Sequence, residues 1–201
     1  MSIRNLMALA TLAGGLLAGA ALAEPEAAGS ASAEPGVWQE HQIELAYMGF
    51  TSHYSCEGLE SKLELLLRQL GARADAKVNA FGCDPGFGTP SRFPRATLKF
   101  ATLQPADGGS GRGAAAAANA QASAPPAPVA GVWRAVQLAP HRPYDLEDGD
   151  CELMEQFRDK VLPLFTTRDQ QFRLTCVPHQ DIGPFSLQMQ VFTPPPEPHS
   201  K

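Results

Sequence analysis

The chain has 201 residues, 16 basic against 21 acidic side chains, and a formal net charge of −5. It lacks the Lys/Arg surplus that phosphate neutralisation needs, so the balance excludes a basic nucleic-acid binder. With 44% apolar residues, 18 Gly and 18 Pro, it is no collagen, coiled coil or multipass membrane protein, and its length allows one domain or two small ones.

Arg4 precedes an apolar, small-residue run over 6–22, and Ala21-Leu22-Ala23 gives the small-x-small pattern of a cleavage site. Residues 1–23 therefore read as a signal peptide. Its removal leaves a chain from Glu24 with 15 basic and 21 acidic side chains, with no integral membrane association expected after removal. Residues 24–35 read as a disordered tail.

Gly36-Val37-Trp38 recurs 95 positions later as Gly131-Val132-Trp133. At that offset Gln42 matches Gln137, Cys56 matches Cys151, Leu67 matches Leu162 and Arg73 matches Arg168. Cys83 matches Cys176 after a two-residue deletion. The rarest residue types fall into register, which marks a duplication, with copies over 36–103 and 131–193.

In copy one a first strand is predicted over 38–49, with Ile43, Leu45 and Tyr47 among polar residues. A helix follows over 56–70, where Leu59, Leu63, Leu66, Leu67 and Leu70 form one stripe and Gly71 is the stop. A short strand over 76–83 and an alternating strand with Ala96, Leu98 and Phe100 complete a β-α-β-β unit. Residues 104–130 hold 11 Ala, 4 Gly and 4 Pro and read as a linker.

Copy two repeats the pattern, with a helix over 151–165 whose last turn Pro163 distorts, a strand over 171–177, and a strand carrying Phe185, Leu187, Met189 and Val191. In each last strand the alternation predicts one buried and one wet face. Ser55 and Asp150, at equivalent positions, are expected to cap their helices. Residues 194–201 form a Pro-rich tail. The expected fold is α+β: a tandem duplication of a β-α-β-β unit making a six-stranded, largely antiparallel sheet with two helices on one face. Trp38 and Trp133 are expected to play matching, deeply buried structural roles.

Four cysteines in an exported chain imply two disulfides, Cys56–Cys83 and Cys151–Cys176, each tying a helix start to the following strand. A thiol-based metal site would instead pair His53 with Cys56, or Cys176 with His179, but neither histidine recurs in the other copy. No GxSxG, HExxH, phosphate loop or Ca²⁺ loop is present, so no catalytic residue, metal or cofactor is assigned. The acidic run 145–150 reads as a solvated approach to a helix. Candidate binding residues are Phe87 and Thr89 in the Gly/Pro loop 84–90, together with His141, Tyr144 and His179. Copy one carries seven acids and seven bases and copy two nine acids and six bases, a divergence that assigns the copies different jobs.

The expected role is that of a non-catalytic accessory or binding protein of the bacterial periplasm or envelope, or a secreted one. Its partner would be another envelope protein, a peptide or a small ligand, and not nucleic acid. The alternatives are a small hydrolase using His141 or His179, and metal handling through the His/Cys pairs above.

Overall fold

The computed structural model describes residues 33–84, 90–106, 127–180 and 184–196. The signal segment, most of both tails, Phe87, Thr89 and the middle of the linker lie outside them. In chain order the elements are β1 (Glu34–Ala46), α1 (Cys56–Gln69), β2 (Lys77–Phe81), β3 (Arg95–Pro105), β4 (Val129–Leu138), α2 (Cys151–Lys160), β5 (Thr167–Leu174) and β6 (Phe185–Thr193). Single 3₁₀ turns stand at Asp148–Asp150 and Leu162–Leu164. The strands form one six-stranded sheet in the order β2-β3-β1-β4-β6-β5, with every pairing antiparallel. The β-α-β-β repeat is thus the architecture of the molecule.

The copies join where β1 meets β4, through three pairs: Glu34 with Gly131, Pro35 with Ala130 and Gly36 with Val129. Shifting any of these residues by the 95-position repeat offset maps the pairing onto itself about Pro35 and Ala130. The junction is therefore a local two-fold, like the contact between two subunits. Strand β1 starts at Glu34, four residues before the predicted start, because this pairing lies between the copies. Strands β3 and β4 likewise take in residues 104–105 and 129–130 from the two ends of the segment read as linker.

Helix α1 forms as the leucine stripe predicts. Leu59, Leu63, Leu66 and Leu67 are buried, Ser55 Oγ accepts from Gly58 N–H at 3.1 Å, and Gly71 with φ +78° supplies the left-handed stop. Helix α2 ends at Lys160 and passes into the turn containing Pro163, as that proline requires. Leu45, Leu98 and Phe100 of copy one share a continuous core with Leu138, Met154, Phe157, Leu187 and Val191 of copy two. Both disulfides pair as predicted, with Cα–Cα distances of 5.4 and 5.5 Å for Cys56–Cys83 and Cys151–Cys176.

Three expectations need correction. Strand β5 begins at Thr167, four residues early, across a bulge between Arg168 and Gln171 where Asp169 has φ +54°. Its polar sequence carries no period-two signal. The last strands are not simply wet on their second face, because Ala101, Leu103 and Phe192 are buried there. A Cβ on Gly131 would lie 2.2 Å from the Phe192 ring, so glycine is required for this close approach. Finally, Trp38 and Trp133 are half-buried, not deeply buried. Each shares its face with this second cluster and lies under the repeat-equivalent arginine, Arg73 at 5.8 Å and Arg168 at 4.1 Å from the ring centroid.

Candidate binding cleft

The chain leaving β1 runs into copy two. Two bonds carry the β1–β3 register past the strand ends, Tyr47 N–H to Pro94 O and Gly49 N–H to Arg92 O, both 2.9 Å. That register sets Met48 across from Phe93. The next residues are held by α2. Met48 N–H donates to Gln156 Oε1 at 2.8 Å, and Gln156 Nε2 donates back to Met48 O at 2.9 Å. The buried Glu152 carboxylate accepts from the N–H groups of Phe50 and Thr51 at 2.8 and 3.0 Å, and from Thr51 Oγ1 at 3.3 Å.

Asp150 does not cap α2. Its carboxylate is turned inward, accepting from Tyr54 OH at 2.5 Å, Lys62 Nζ at 2.8 Å and Glu147 N–H at 2.7 Å. Burial first, and the Asp150 charge second, push the Tyr54 hydroxyl above its ordinary pKa, so it remains a donor. Tyr47 is raised by burial and then by Glu152. Lys62 also reaches Asp145 O and lies 3.7 Å from Glu147. Of the acidic approach to α2, the buried Asp150 is thus paired with a lysine of the other copy. At the equivalent positions of copy one stand Ser55, Glu57 and Ser61, all of them exposed. Asp150, where copy one has Ser55, therefore serves together with Glu152 and Gln156 as a clamp between the copies.

Beside this clamp lies a cleft of about 380 Å³, lined by Ala46, Met48 and Phe50 on one side and by Glu152, Glu155, Gln156 and Lys160 on the other, with Cys176 and Pro178 closing it. Met48 is 50% exposed, Phe50 39% and Phe93 61%, which is unusual for large apolar side chains. One wall is apolar and the other is polar with both signs of charge, a surface suited to an amphipathic segment.

No protein-family model, curated protein or solved structure matches this chain.

Of the predicted site residues within the described ones, Cys176 lines the cleft and His179 stands beside it. The His179 N–H donates to Thr51 Oγ1 at 3.0 Å and its ring stands edge-on to Phe50 at 6.0 Å. His141 and Tyr144 are exposed in the loop after β4, Tyr144 to 84%, and no hydrogen bond joins them to His179 among the described residues. The rings of His141 and His179 have no hydrogen-bonded Asp, Glu, Ser or Tyr among the described residues, the partner that general base catalysis requires. His53 is exposed before α1. The metal alternative needs free thiols, and the disulfides consume all four. Sequence inspection missed Met48, Phe50 and Phe93. They look like ordinary strand and loop apolar residues; only the structure shows that Met48 and Phe50 line the cleft and that Phe93 is exposed across from Met48.

Proposed function

We propose that this is an exported, non-catalytic binding protein that holds an amphipathic partner in the cleft between the β1–α1 loop and α2. The observation that carries this role is the exposure of Met48 and Phe50 on a loop fixed from beneath by Glu152 and Gln156. A pre-ordered loop presents apolar side chains without losing much conformational freedom on binding. Two disulfides and the small-x-small leader support an oxidising compartment, the periplasm or the cell exterior. The intact mass of exported material should correspond to a chain beginning at Glu24.

A photo-crosslinking amino acid at Phe50, in the full chain expressed and exported in cells, tests the role. A discrete adduct at Phe50 that is absent when the probe is moved to Glu64, on the exposed side of α1, is the expected outcome. Equal labelling at both positions, or none at Phe50, would reject the cleft as the binding site.

A further inference from the structure

Strand β1 has one full partner and, among the described residues, one sparsely paired edge. Its odd-numbered residues bond to β3, as the continuing bonds from Tyr47 and Gly49 show, and alternation turns the even-numbered N–H and C=O groups the other way. On that second edge β4 occupies only Glu34 and Gly36. At the far end Met48 is occupied by the Gln156 carboxamide, which donates and accepts as a strand residue would. Between these two stops lie Trp38, Glu40, Gln42, Glu44 and Ala46, whose edge-facing backbone groups have no partner among the described residues. Among the described residues the slot is long and bounded at both ends.

The flanking side chains point to the same use. His41 and Ile43, on the helix side of β1, are only half-buried, whereas their counterparts Val136 and Leu138 in β4 are buried. The core is thus incompletely covered along this edge of copy one alone. The other side of the strand presents Glu40 and Glu44, paired to Arg73 and Arg95 yet still exposed. The slot ends beside the cleft, since Ala46 belongs to both and Met48, the stop between them, lines the cleft.

We infer that β1 accepts an extended peptide of a partner protein as an added strand between Trp38 and Ala46. The partner segment alternates apolar side chains, which cover His41 and Ile43, with basic ones, which lie beside Glu40 and Glu44. Backbone bonds supply affinity and the alternate side chains supply selectivity. This rests on the binding role proposed above and names its partner class.

The probe is a synthetic nonapeptide alternating Val and Lys, added to the full mature chain and followed by amide hydrogen exchange. In the free protein the Trp38, Glu40, Gln42, Glu44 and Ala46 amides should exchange fast and their odd-numbered neighbours slowly. With peptide the even-numbered set should slow by about tenfold or more. N-methylation of the peptide amides that face β1 should abolish this, while methylation of the outward set should leave it intact. Gln42→Pro removes only an edge-facing donor and should also abolish protection; if that variant does not fold, the methylated peptides decide alone. Even-numbered amides already protected in the free chain would overturn the inference. So would an absence of protection by the alternating peptide. Peptide shifts confined to Met48 and Phe50 would overturn the added strand while leaving the cleft standing.

Discussion

Lys62 and Asp150 illustrate how one residue pair can hold two copies of a unit together. Asp150 is almost wholly buried and depends on Lys62, Tyr54 and one backbone amide for its charge. Removing the lysine strands a buried carboxylate, so Lys62→Met should cost about 3–5 kcal/mol in urea denaturation. Lys62→Met combined with Asp150→Leu should recover a large part of that loss, because neither charge is then left unpaired. An equally damaged double variant would mean that the cost lies in packing. His41 gives a pH signature of its own. Burial lowers its pKa, an effect partly opposed by Glu40, and its Nε2 lies 2.9 Å from Thr102 Oγ1. The unfolded chain then takes up the proton first, so stability is full above about pH 6.5 and falls as the pH drops through the lowered folded value. His41→Gln should flatten this part of the stability curve.

At the scale of elements, the repeat-equivalent Trp–Arg pairs replace the deep tryptophan burial that the sequence suggests. The Arg168 guanidinium lies 4.1 Å from the Trp133 ring centroid, and Phe192 packs against the same ring at 5.4 Å. The arrangement shields the indole from solvent on a face that no helix covers. Arg168→Ala should raise acrylamide quenching of Trp133, measured in a Trp38→Phe background, and cost about 0.5–1 kcal/mol. An unchanged quenching constant would show that Phe192 alone protects the ring. The same scale explains why β5 escaped the sequence pattern. Its residues from Thr167 to Gln171 are polar and mostly exposed at a sheet edge, and the bulge breaks their alternation. An amphipathic strand is legible because one side packs on a core, and this stretch has little core to pack on.

For the whole molecule, the pairing of β1 with β4 sets what the connection between the copies must span. Pro105 and Val129 both pair with Gly36, from opposite sides, so their backbones lie about two strand spacings, roughly 10 Å, apart. Strands β3 and β4 run in the same direction on either side of β1, so the chain must turn back and cross over β1, which takes about a dozen residues against the 23 present between them. Deleting ten residues within 108–127 should therefore shift the melting temperature by only a degree or two, since closure entropy varies slowly with loop length. A large loss would show that part of the segment packs on the sheet.

Local pattern alone specified the repeated unit, the leucine-striped helix, both disulfides and the alternating last strands. Each is a local period, or a match between rare residues, and such signals survive without knowledge of neighbours. Packing of the two copies was needed to turn Asp150 toward Tyr54 and Lys62 and to bring Glu152 and Gln156 onto the loop after β1. It alone exposed Met48, Phe50 and Phe93 and, among the described residues, left one edge of β1 unpaired beyond Gly36. These features depend on how two related units dock about the Pro35–Ala130 pair. Docking joins residues about 90–110 positions apart, and no periodicity within either copy encodes which of its polar side chains will meet the other.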